Sequence, residues 1–202
     1  MTDNPPALDP SLVARVKGIL LNPKAEWAII EREFATVPNL FSRYAMILAA
    51  IGPVCGLIGS LIFGQGNVIG AVVGAVVGYA LSLAGVFLLG LVIEALAPTF
   101  DGTKDRLSAM KVAVYASTAS WIGGVFSLIP ALGILGAILG LYSLYLLYLG
   151  LTPLMKAPQE KTVAYTVVVV LAAVAIWIII SIIVGAVIGS FIGAAALATT
   201  TV

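Results

Sequence analysis

Few residues in this chain could take part in chemistry, and their types narrow that chemistry at once. The 202 residues include no histidine and one cysteine, Cys55. The commonest general base and metal ligand is therefore missing, and neither an intramolecular disulfide nor a cysteine cluster can form. Glu94 is the one carboxylate inside an apolar run. An ionisable group in such a place marks an ion, proton or ligand path, or else a structural ion pair. Glu94 lies four residues before Pro98, near the end of its helix, where a negative charge opposes the helix dipole and calls for a cation. Arg43, Arg106 and Lys111 are the available partners. Tyr142, Tyr145, Ser117, Thr118 and Ser120 add hydroxyls to other apolar runs, and neighbouring helices can satisfy them by hydrogen bonding. A turn followed by a helix capped by Thr103 accounts for Asp101 and Asp105 in "FDGTKDR", so neither a metal nor a cofactor is expected. With no paired carboxylates in the membrane, and no serine or cysteine beside a base, an enzyme is not expected.

The elements that position these groups are helices in a bilayer. The sequence is 61% hydrophobic and 9% charged, with a mean hydropathy of +1.16, whereas soluble domains carry roughly 25% charged residues. Its composition is that of an all-α integral membrane protein. A crossing takes about 20 helical residues, and five such stretches are predicted, at 44–63, 68–97, 112–129, 134–151 and 163–189. The polar turn Gly64-Gln65-Gly66-Asn67 separates the first two, and Pro98 with Asp101-Gly102 stops the second. The uncharged run 112–151 is long enough to cross twice and is divided at Pro130 and Gly133 into a hairpin. Pro53 is expected to kink the first span. The five spans form one domain over 44–202, preceded by a head over 1–43.

Charge placement predicts orientation. Arg15, Lys17, Lys24, Arg32 and Arg43 lie in the head, Lys104, Arg106 and Lys111 between the second and third spans, and Lys156 and Lys161 between the fourth and fifth. The opposite side has no lysine or arginine, which places the head in the cytoplasm and the C-terminus across the membrane. The net charge of +1, with no basic patch free of acidic neighbours, gives no reason to expect nucleic acid. Residues 1–11 are not followed by the apolar core of a secretory signal, so the head is expected to belong to the mature protein.

Within the head, Asp9-Pro10 and Asn22-Pro23 each read as a cap followed by a first-position proline. Leu12, Val13, Val16, Ile19 and Leu20 recur at helical spacing, with Arg15 and Lys17 off that face. Trp27, Ile30 and Phe34 make a second stripe. Two short amphipathic cytoplasmic helices follow, whose apolar residues Leu12, Val16, Leu20, Trp27, Ile30 and Phe34 would meet the lipid interface, the ends of the spans or a protein partner.

Glycines recur every four residues at Gly52 and Gly56, at Gly70, Gly74 and Gly78, and at Gly185, Gly189 and Gly193. Such stripes let helix backbones approach closely, within the chain or in a homo-oligomer. All lie in the half of the membrane away from the charges. This placement predicts a bundle tight at that end and open toward the cytoplasm, with a crevice near Glu94, Arg106, Lys111, Tyr142 and Tyr145.

The stretches "ILLNPKAEWAIIERE", "YAMILAAIGPVCGLIGSLIFG" and "VAVYASTASWIGGVFSLIPALGILGAILGLYSLYLLYLGLTPLMKAPQEKTVAYTVVV" resemble the Ypt-interacting-protein (Yip) domain in its short bacterial form, over roughly residues 10–190. The resemblance implies five transmembrane helices, a cytosolic N-terminus and the cytoplasmic (inner) membrane of a bacterium. Eukaryotic relatives associate with Rab-type GTPases in vesicle traffic, but their "DLYGP" stretch is replaced here by "VPNLFSRY". The function expected is that of a membrane scaffold or adaptor working through its head and loops, with the lipid bilayer and a cytoplasmic protein as partners. The alternative is a transporter of an ion, small molecule or lipid, centred on Glu94.

Overall fold

Capping chemistry divides the head into two helices. The Ser11 hydroxyl accepts the Ala14 N–H at 3.3 Å and opens α1, Leu12–Leu21. Asn22 closes α1 by donating its N–H to Gly18 O at 2.8 Å. Pro23 then takes the first position of α2, Pro23–Arg32, where its missing N–H costs nothing. The computed structural model describes residues 11–63 and 68–200. The Asp9-Pro10 cap and the turn Gly64-Gln65-Gly66-Asn67 lie outside the described residues, as do the surroundings of Gly193.

The Thr36 hydroxyl accepts the Asn39 N–H and opens α3, the helical run Val37–Ile62. A π turn occupies Phe41–Ala45, and the run is irregular again at Ala50. Pro53 therefore falls in the first turn of the segment Ile51–Ile62, where no intrahelical donor is needed. The Ala50 N–H turns toward Leu48 O, and the Met46 carbonyl accepts from the Tyr79 hydroxyl at 3.0 Å. Helix α4, Val68–Leu96, ends in a tight turn at Ala97–Phe100 and the left-handed Asp101. Asp105, rather than Thr103, caps α5, Arg106–Ala116, by accepting the Ser108 N–H at 2.8 Å. The Thr103 N–H instead reaches Met155 O at 2.7 Å. After α6, Thr118–Gly123, come 3₁₀ turns at Gly124–Leu128 and Pro130–Leu132, then α7, Gly133–Met155, and α8, Gln159–Thr200.

Four helical runs among the described residues are long and apolar enough to cross a membrane: Val37–Ile62, Val68–Phe100, Gly133–Met155 and Gln159–Ser190. The third stretch predicted from sequence, 112–129, is not one such helix. It is divided among α5, α6 and a 3₁₀ turn, with the break at Ser117. The Ser117 hydroxyl bonds back to Ala113 O at 2.8 Å, a contact that bends helices. The Ser120 N–H and hydroxyl both meet Ser143 Oγ of α7, at 2.9 and 2.8 Å. A broken helix is tolerated at membrane depth where protein, rather than lipid, satisfies its backbone. Residues Ala109 to Ala116, with Thr118, Ala119 and Trp121, are all buried.

The core lies at the end of the bundle that carries the charges. Ile93, Ala97, Leu146, Leu151, Leu154, Met155, Tyr165 and Val169 are buried there in one cluster with residues of α5. At the other end Ile62, Val76, Ile134, Leu141, Leu171, Trp177 and Ile182 are exposed. This reverses the taper predicted from glycine spacing. Glycine permits close approach, but a partner must be present to approach. Gly133, Gly140, Gly185 and Gly189 have nothing within 4 Å of where a Cβ would stand. The stripe on α4 is partnered: Gly70 is buried, and a Cβ on Gly74 would come 2.7 Å from Ile188 and one on Gly78 4.0 Å from Val184. Gly52 faces Gly124, and Gly56 faces Ser127.

Candidate functional site

The most elaborate chemistry lies where the head meets the bundle. Arg15 of α1 is 2% exposed. Its Nη1 stands 2.6 Å from Glu26 Oε1, its Nη2 pairs with Glu33, and its guanidinium lies 5.4 Å from the Tyr115 ring centre. One cation between two carboxylates leaves a negative excess. Lys111 of α5, itself 4% exposed, offsets it by donating to Ile30 O at 2.8 Å and Glu33 O at 2.6 Å. These are carbonyls at the end of α2, where Ile30 O also accepts the Glu33 N–H at 3.4 Å, and a cation there favours the dipole. Burying charges costs several kcal/mol per ion unless geometry and hydrogen bonds compensate. Here every charge in the group has a partner.

Aromatic packing surrounds this group. Trp27 meets Tyr115 edge-on with ring centres 6.4 Å apart, and Tyr44 meets the same ring at 4.8 Å. The Tyr44 hydroxyl lies 2.8 Å from Thr118 Oγ1. On α7 a Cβ at position 150 would come 2.7 Å from Trp27 Cζ2, so Gly150 is the residue that admits the indole. Trp27 Nε1 has no acceptor among the described residues; the indole is held there by packing alone. Tyr142 donates to Leu20 O at 2.8 Å, thirteen residues before Met155 along α7, or about 20 Å at 1.5 Å per residue. The head thus lies along the side of the bundle as a helical hairpin.

The residues singled out from sequence divide accordingly. Trp27 and Ile30 are buried, and Leu12, Val16 and Leu20 are packed against the core. Phe34 is fully exposed, because α2 ends at Arg32 and the extended backbone at Glu33 breaks the helical spacing. Glu94 pairs with Arg106, whose side chain is 57% exposed. Lys111 belongs to the head junction, and the Tyr145 ring is tilted against that of Tyr142 with centres 5.7 Å apart. The five residues grouped for a crevice therefore serve separate contacts: the Glu94–Arg106 pair in one, Lys111 in another, and the two tyrosines in a third. Sequence reasoning missed Arg15, which it placed off the apolar face. The signal was present, since Leu12, Arg15 and Ile19 fall at i, i+3 and i+7.

Apolar spans, a broken buried helix and a head held to the bundle through Lys111, Trp27 and Tyr142 define a polytopic α-helical membrane protein with a built-in head-to-bundle junction. The Yip1 domain model matches residues 17–182, and the chain belongs to that family. The "Inner membrane protein YohC" of Escherichia coli K12 is similar to it, 27% identical over 166 residues that cover 76% of this chain and 85% of the relative. The protein of the same name from E. coli O6:H1 matches to the same extent. No solved structure matches the chain.

Proposed function

We propose that this protein is a membrane scaffold whose head and charged-side loops form one rigid platform for a cytoplasmic protein partner. The supporting observation is the junction itself. Arg15, Trp27, Ile30 and Lys111 are consumed in holding the head to the bundle, while Lys17, Lys24, Glu31 and Arg32 remain exposed on its other side. The two charged-side loops are tied to each other, since the Thr103 N–H bonds to Met155 O and Lys161 pairs with Asp101. In this reading the segment 112–129 is a fifth, protein-sheathed crossing. The head faces the cytoplasm, the C-terminus the far side, and the membrane is a bacterial inner membrane, in keeping with the name of the E. coli relative.

The test is photocrosslinking in native membranes from probes at Lys17, Glu31 and, at the opposite end, Val72. A protein adduct of defined mass is expected from the two head positions and not from Val72. Gly150→Leu, which drives Trp27 from its seat, should reduce those adducts at least about tenfold while leaving lipid adducts at Val72 unchanged. Lipid adducts alone at all three positions would overturn the reading.

A further inference from the structure

Beside the junction is a cavity of about 250 Å³, lined by Arg15, Glu33, Asn39, Arg43 and Tyr44 with Phe34 among its walls. We infer that it binds a phosphodiester, the linkage that joins a phospholipid headgroup to its glycerol. This goes beyond the scaffold reading and requires no protein partner. Charge carries the argument first. Of the charged side chains that line it, Arg15 and Arg43 set against Glu33 leave one positive charge over, and a phosphodiester carries one negative charge, where a phosphomonoester would carry up to two. Geometry identifies the contact. Arg15 is already committed to both carboxylates, whereas Arg43 is exposed and stands outside the four ion pairs among the described residues. A guanidinium presents a planar fork that matches phosphate oxygens, and Asn39 supplies further polar groups on the same wall.

Position and size point to a lipid headgroup as the natural source. The cavity opens where α3 begins its apolar run at Val37. Its volume is near the lower bound for small-molecule sites, about 300 Å³, and so holds a glycerophosphate group but no acyl chain. Phe34, fully exposed at its edge, gives a chain leaving the site an apolar surface to lie on.

Binding of phosphatidylglycerol to the purified chain is measured by native mass spectrometry and by exchange from labelled nanodiscs, with soluble glycerophosphoglycerol as a second ligand. One lipid per chain is expected. Arg43→Gln should weaken it at least about tenfold, the scale of a lost charge-assisted contact, and Phe34→Ser should weaken the lipid but not the soluble diester. Both side chains are exposed, so neither variant should lower the unfolding temperature. Saturable binding of the soluble diester at equal affinity, lost in Arg43→Gln, would support the site with a water-soluble ligand. Undiminished binding of both ligands by Arg43→Gln, or no binding of either by the wild-type chain, would overturn the proposal.

Discussion

Arg15 illustrates how a single side chain can organise a membrane protein's soluble-looking segment. It lies on a short helix of moderate polarity, yet the fold withdraws it almost wholly from solvent and gives it two carboxylates and an aromatic face. Removing one member of such a group is far more costly than replacing the whole set, because the survivors are left buried without a countercharge. Arg15→Met is accordingly expected to destabilise the chain by about 3–5 kcal/mol, seen as faster tryptic cleavage after Lys24 and Arg32 and a lower unfolding temperature in detergent. Adding Glu26→Gln, which leaves Lys111 set against Glu33 alone, should restore most of the loss. A double variant no more stable than the single one would show that the group is not acting as a charge unit. Glu94 makes the contrast. Its arginine is largely in solvent, and an ion pair of that kind contributes only about 0–1 kcal/mol.

At the scale of the element, each helix is set by a local signal, and the signals differ in how plainly the sequence shows them. Asn22-Pro23 marks the start of α2 without reference to anything else. The start of α5 is less plain, because Thr103 and Asp105 are both acceptable caps, and the choice falls to Asp105, whose carboxylate accepts the Ser108 N–H at 2.8 Å. The Ser108 hydroxyl, helped by the Ser108 and Leu107 N–H groups, holds the Asp105 carboxyl below the ordinary aspartate value. A lowered native pKa stabilises the fold above the unfolded-state value and loses that contribution as pH falls through the native one. Asp105→Ala should therefore cost about 1 kcal/mol at neutral pH, with the gap to wild type closing below about pH 4. Asp105→Asn should retain the cap and lose the pH dependence. Thermal unfolding of the three proteins at pH 7 and pH 3 measures this. The break at Ser117 was hidden for a related reason. An uncharged run of small and apolar residues reads as one span, and partners on other helices, the Ser143 and Tyr44 hydroxyls, meet the interruption.

For the whole molecule, burial is gathered at the charged end and the apolar helices spread toward the other. Large residues account for it: Trp27, Met110, Tyr115, Met155 and Tyr165 fill the charged end, while the opposite end presents aliphatic side chains suited to lipid. Whether α5 and α6 complete a fifth crossing decides on which side the C-terminus lies, since an odd number of crossings puts the two ends on opposite sides. In a Cys55→Ser background, Lys24→Cys and Thr200→Cys are expected to react with an impermeant maleimide from opposite faces of oriented membrane vesicles. Labelling of both from one face would mean four crossings.

Much of this protein is determined by its sequence alone. Composition and run length make it an all-α membrane protein, the caps divide its head into two helices, and the quoted stretches carry the family. Such features depend on residues close together in the chain, or on totals that no fold can change. The tertiary structure alone decided which charges are buried, which glycines are partnered and which end of the bundle is tight. Arg15 and Lys111 lie 96 positions apart, yet they neutralise one group because α1 packs on α2 and Lys111 of α5 reaches the end of α2. No periodicity within either helix records that meeting, which exists only once both helices have found α7.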